Sequence, residues 1–204
     1  MSVKLESSLT DLMTSLAVIF ILLMVAMINN VGQSGKSDIE NIRKELIDCK
    51  PVADDPLACT ITFSDKEFMF NFGDDRILIQ GEDSNKLKDK LLRIMETLTK
   101  PEWEKNINGV FIDGYTDKQG DDEINLELSQ RRSLAVGQFL LNNVYANNPK
   151  YKEALLEWLY LNGRGEQNQK STDEESRRVE LTIRVKSFSQ RTKQEIQSAS
   201  NPSP

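Results

Sequence analysis

The strongest constraint on this chain is a run of seventeen residues near its start, LMTSLAVIFILLMVAMI from Leu12 to Ile28, interrupted only by Thr14 and Ser15. At 1.5 Å per residue, such a run is about 25 Å long as a helix. With Leu9 it approaches the ~30 Å hydrocarbon core of a bilayer. The spacing predicts a membrane-spanning helix over 9–31 behind a short cytoplasmic tail, 1–8. A cleaved signal peptide is the competing expectation. It needs a basic start, a shorter apolar core and a small-x-small cleavage site. Here Lys4 stands close to Glu6, and Met27-Ile28-Asn29-Asn30 offers no such site. Lys4 alone is too little charge to orient the span by the positive-inside rule.

Beyond this run the chain is polar. Its 204 residues include 26 basic and 32 acidic side chains, for a net charge of −6, which speaks against a direct nucleic-acid partner. Histidine is absent and there are two cysteines, so no histidine triad, imidazole base or thiolate zinc cage can be assembled. Neither a metal nor a cofactor is expected.

Asp11 opens the apolar run. On spacing alone it is an N-cap in the headgroup region, together with Thr10, or else an intramembrane carboxylate that takes up and releases protons. After the span, Gly32-Gln33-Ser34-Gly35-Lys36 reads as a flexible exit. Ser37 and Glu40 then make a capping box before Ile39, Ile42, Leu46 and Ile47, a short amphipathic helix. Helices so short need a partner, which is either a second copy of the chain or the following domain. Cys49 and Cys59 bracket CKPVADDPLAC. Outside the cytoplasm they read as a disulfide, and inside it as two free thiols. Residues 32–59 are accordingly a juxtamembrane linker.

From residue 60 to 186 a folded domain is expected. ACTITF, FMFNF and RILIQ read as strands, and Ser84 to Leu98 as a helix. NGVFIDGYTD reads as a strand ending in a polar loop, Asp122 to Tyr145 and Tyr151 to Leu159 as helices, and RRVELTIRV as a final strand. Strands interleaved with helices give an α/β (α+β) sandwich. Residues 187–204, rich in Ser, Gln and Lys, read as a disordered tail.

Within this domain, GYTDKQGDDEINLELSQRRSLAVGQFL resembles the signature of OmpA-like peptidoglycan-binding domains. The matching positions are Thr116, Asp117, Gly120, Asn125, Leu128, Ser129 and Arg132. SRRVELTIRV is similar to the closing strand of that family, with Ser176 where the family usually has Asn. The resemblance implies that Thr116, Asp117, Asn125, Leu128 and Arg132 form the peptidoglycan site. Asp117 and Arg132 would hold the zwitterionic diaminopimelate of the peptide stem. A carboxylate for an ammonium and a forked guanidinium for a carboxylate suit that ligand.

The membrane segment, SLTDLMTSLAVIFILLMV, is similar to that of MotB-type stator subunits, where an Asp-Leu/Phe-Met-Thr sequence opens the span. This resemblance makes Asp11 the proton carrier, with Thr14 in support. It implies a homodimer, single-pass in the bacterial inner membrane, with its N-terminus cytoplasmic and its C-terminal domain periplasmic. A ring of a MotA-like or ZorA-like membrane subunit would surround it. The short segment before Asp11 and the short linker resemble the ZorB-type, stator-like subunits of the Zorya antiviral defence system. The alternatives are a flagellar stator subunit and a passive peptidoglycan anchor without ion flow. An enzyme is not expected, since the motif offers no nucleophile–base pair.

Overall fold

Alternation of buried and exposed side chains builds the central sheet. In strand β2 (Asp55–Ser64), Cys59, Ile61 and Phe63 are buried while Thr62 stands in solvent. Strand β5 (Arg178–Val185) buries Val179, Leu181, Ile183 and Val185, and strand β3 (Ile107–Tyr115) buries Val110 and Ile112. These three strands pair antiparallel, with Ile61 opposite Leu181 and Leu181 opposite Ile112. Strand β4 (Leu159–Gly163) joins β3 in parallel, and the short β1 (Lys50–Val52) turns back on β2. The resulting order is β1-β2-β5-β3-β4.

The computed structural model describes residues 2–68, 70, 73–77 and 81–200. The chain divides into two units, residues 38–186 and residues 1–37 with 187–204. The first unit is the α/β sandwich. Helices α3 (Gly81–Leu98), α5 (Asp122–Phe139) and α6 (Pro149–Trp158) share one core with the buried face of the sheet, and the one-turn helices α4 (Pro101–Glu104) and α7 (Asp173–Ser176) lie in the connections. Leu87, Leu91, Ile94, Met95 and Leu98 form the apolar stripe of α3, as its periodicity predicts. The helix expected to run from Asp122 to Tyr145 ends as regular α-helix at Phe139 and continues as a π-helical turn, Leu140–Val144. Tyr145 then inserts fully into the core, its hydroxyl donating to the Leu91 carbonyl at 2.9 Å.

The amphipathic helix before the cysteines is the end of α1 (Ser2–Glu45), which includes Gly32–Lys36 where a flexible exit is expected. Its partner is the domain itself. Ile39 and Ile42 and the following Leu46 are buried in the common core, and only Ile47 remains outside. Burying each such side chain contributes about 1.5–3 kcal/mol. Polar ties surround the contact: Lys100 Nζ donates to Glu45 at 2.6 Å and Asn106 Nδ2 to Asp38 at 3.1 Å. Cys49 and Cys59 are joined as a disulfide, with Cα atoms 5.4 Å apart. The segment read as a linker thus supplies a helical end, the bridge and a β1–β2 hairpin, and the compact unit begins at Asp38 rather than residue 60.

Three further expectations change. Phe68 ends the short helix α2 (Asp65–Phe68), and Phe70 and residues 73–77 are irregular. The other positions of the strands expected at 68–72 and 76–80 lie outside the described residues. β4 occupies LYLNG, where helix and turn are expected, because Leu159 and Leu161 pack on the core with α6 already closed. Its outer edge is met by Gln130, whose side-chain amide donates to the Leu161 carbonyl at 3.3 Å and accepts from the Gly163 amide at 2.6 Å. Phe188–Ser200 is helix α8, not an irregular tail.

In the second unit, α1 carries the apolar run, and its large side chains from Leu12 to Val25 are exposed. Side chains are described there for residues 11–26, and those of 27–34 lie outside. Among the described residues, no helix is long and apolar enough to cross a membrane.

Closing an eleven-residue loop by a disulfide removes denatured-state entropy worth about 2–3 kcal/mol. Replacing both Cys49 and Cys59 by Ala should lower the unfolding free energy by about that amount. Urea titrations of the parent should shift toward the variant's midpoint when reductant is added.

Candidate functional site

β3 delivers its last residues to one end of the sheet, and α5 begins a few residues later. The turn between them is built by its own side chains. Asp121 caps α5, its carboxylate accepting from the Glu123 amide at 2.9 Å. Gly120 holds φ at +109°, a conformation that L-residues avoid. Asn125 reaches back from the first turn of the helix, its Nδ2 donating to the Asp117 carbonyl at 3.4 Å.

The helix lies unusually close to the strands. A Cβ on Gly114 would stand 2.2 Å from the Ser129 carbonyl oxygen, and one on Gly163 would stand 2.7 Å from the Gln130 nitrogen. Ser129, fully buried, fills the remaining space, and its hydroxyl donates to the Leu126 carbonyl and accepts from the Gly165 amide at 2.9 Å. The motif positions therefore divide by role. Asn125 and Ser129 fix the helix against the turn and the strand ends, and Leu128 is buried on the same helix. Asp117 brings charge to the turn, and Arg132 carries charge to the Asp74 segment.

Asp117 is 3% exposed. One of its oxygens accepts from the Gln119 amide at 3.0 Å, and the other from Arg177 Nη1 at 2.6 Å. Arg177 is thus the guanidinium that balances this carboxylate in the structure. Arg132, 2% exposed, instead donates through Nε to the Asp74 carbonyl at 3.0 Å and stands 5.1 Å from the centroid of the Phe70 ring. Asp74 itself is tied by three side-chain bonds to Arg76, which hold its carboxyl well below the usual carboxylate range.

Thr116 is buried between these groups along the chain. Its amide donates to the Gly165 carbonyl and its carbonyl accepts from Gln169 Nε2, while its hydroxyl is buried without a partner among the described residues. Ser176, at the position where the Asn is usual, is fully buried. It donates to the Thr172 carbonyl and accepts from the Lys170 amide, closing the loop that carries Arg177.

The structure therefore joins Thr116, Asp117 and Asn125 directly, and sets Leu128 and Arg132 on the buried side of α5. Arg177 and the Asp74 turn contact the candidate residues Asp117 and Arg132, and the sequence reading does not single them out. Asp11 and Thr14 lie in α1 with exposed side chains. Among the described residues, no cluster of His, Cys, Asp or Glu could hold a metal ion.

Residues 69–182, more than half of the chain, match the model of the OmpA family. The chain belongs to that family. Among solved structures, it is similar to a MotB-like protein from Desulfovibrio vulgaris, at 16% identity and a TM-score of 0.50. That match covers 78% of this chain and 98% of the other. Also similar are the periplasmic domain of Helicobacter pylori MotB (14% identity, TM-score 0.48, 76% and 92% covered) and the cell wall anchor of the type VI secretion system from Pseudomonas aeruginosa (19%, 0.44, 71% and 92%). At these identities the likeness is one of fold. No curated protein sequence matches the chain.

The backbone contact of α5 with β3 has a direct test. Gly114→Ala forces a methyl group into the Ser129 carbonyl, which neither backbone can avoid without moving. It should destabilise the domain by on the order of 3 kcal/mol in urea unfolding.

Proposed function

We propose that this chain is a membrane-anchored, MotB-like subunit whose OmpA-family domain binds the peptide stem of peptidoglycan. The observation that carries the reading is the buried carboxylate Asp117 paired with the half-buried Arg177, with the buried Arg132 on the helix that follows, inside an OmpA-family domain. Diaminopimelate presents an ammonium beside a carboxylate. Asp117 suits the first, and a planar guanidinium suits the second through paired N–H bonds. In this reading Arg177 and the ligand's ammonium compete for Asp117. The site exchanges one ion pair for another and leaves no buried charge unpaired.

The apolar side chains of α1 support the anchor, with 9–31 crossing the bacterial inner membrane, the N-terminus cytoplasmic and the domain periplasmic. The buried Cys49–Cys59 bridge suits an oxidising compartment. Asp11 is then the proton carrier, aided by Thr14. Two such helices from a homodimer stand inside a ring of MotA-like or ZorA-like subunits. Each proton crossing releases about 2.3 kcal/mol per 100 mV, and alternate neutralisation of the two Asp11 carboxylates converts this into rotation against the fixed wall. The short span-to-domain plan favours a Zorya-type antiviral motor over a flagellar one.

Two measurements test the two halves separately. The full chain in detergent should pellet with purified sacculi, and Asp117→Asn or Arg132→Gln should weaken pelleting by about tenfold or more, with an unchanged circular dichroism spectrum. Parent-like pelleting by both variants would remove the wall site. Asp11→Asn should retain expression, dimerisation and pelleting while abolishing phage protection. Full protection by that variant would leave an anchor without a motor.

A further inference from the structure

β5 opens at Arg178, and Arg177 is the residue immediately before it. Arg177 turns to Asp117. Arg178 stacks on Tyr115, its guanidinium carbon 3.8 Å from the ring centroid. Burial pushes the Tyr115 phenol up to about 12, so the ring stays neutral beneath the cation. Arg178 donates through Nε to Glu180 at 2.7 Å, and through Nη1 and Nη2 to the Ser176 and Asn168 carbonyls, each at 3.2 Å. Among the described residues, three of its five N–H groups are thus engaged, although the side chain is only 3% exposed.

This cation lines a cleft of about 800 Å³ with Lys50, Thr62, Ser64, Lys170 and Glu175. The lining carries three cations against one carboxylate, in a chain whose net charge is −6. Glu180 balances Arg178, and neither Lys50 nor Lys170 has an acidic partner among the described residues. The hydroxyl of Thr62 adds a neutral donor on β2, while that of Ser64, two residues on, donates to Glu67 at 3.3 Å. Both walls depend on elements already fixed: Lys50 is paired into the sheet opposite Thr60, and the amide of Lys170 is held by the buried Ser176 hydroxyl.

Such a lining selects an anion with flat, multiple acceptor sites. We propose that the cleft binds a second carboxylate of the peptidoglycan peptide stem, distinct from the one held beside Asp117. This rests on the reading that the Asp117 face holds diaminopimelate. Peptide stems carry several free carboxylates, and the 168–178 loop with its two arginines is the partition between the two sites. The second carboxylate comes from the same stem or from a cross-linked neighbour, and the chemistry of recognition is shared by both.

The experiment is calorimetric titration of the full chain in detergent with two probes, the L-Ala-γ-D-Glu-diaminopimelate tripeptide and a cross-linked dimer of stems. Each is compared between the parent and the Lys50→Gln/Lys170→Gln double variant. The double variant should bind at least one probe about fivefold or more weakly. A loss on the tripeptide identifies the same stem, and a loss on the dimer alone identifies the neighbour. Lys50→Arg/Lys170→Arg should restore parent affinity. Parent affinity of the Gln variant for both probes would overturn the cleft and leave the Asp117 site standing. Failure of the parent itself to bind either probe or sacculi would overturn the underlying reading.

Discussion

The architecture turns on one close approach, the backbone of α5 lying against the backbones of β3 and β4. Gly114 and Gly163 make it possible by having no side chain, and Ser129 makes it stable by satisfying the polar groups it buries. Everything at the charged end of the sheet inherits its position from this contact. The first turn of α5 brings Asn125 to the Asp117 carbonyl, and its third turn carries Arg132 to the Asp74 turn. A helix standing off by the usual side-chain layer would separate these groups, and the carboxylate would lose its enclosure.

Much of the sandwich was legible because its periodicities are clean. The stripe of α3 and the alternation of β3 and β5 follow directly from where water is excluded. What escaped the sequence reading was decided by tertiary contact. LYLNG has too few residues to declare a strand by itself, and it becomes one because β3 offers a free edge beside it. The helix ending in Ile39 and Ile42 has an apolar face that any partner could cover. The disulfide and the Lys100–Glu45 pair favour its own domain by keeping the two ends close.

The site shows the same division. Asp117 and Arg132 were legible from the spacing of a recognisable motif. Their immediate partners were not, because neither ion pairing nor loop closure leaves a local pattern. Arg177 lies sixty residues from Asp117 and finds it only through the register of β5 against β3. Ser176 departs from the residue usual at its position, yet its hydroxyl serves both a donor and an acceptor role in the loop. A short side chain suffices there because the loop needs closure by a single atom.

The amide of Gln130 has a consequence outside the domain. An edge strand normally offers a ladder of unsatisfied donors and acceptors on which another chain can grow. At β4 the side-chain amide sits where the next peptide group would lie, with its donor and acceptor in the same sense. To an approaching strand, that stretch of the edge is already taken. The sheet ends there in a counterfeit peptide bond, and the growth that turns crowded β-proteins into aggregates is refused at that point.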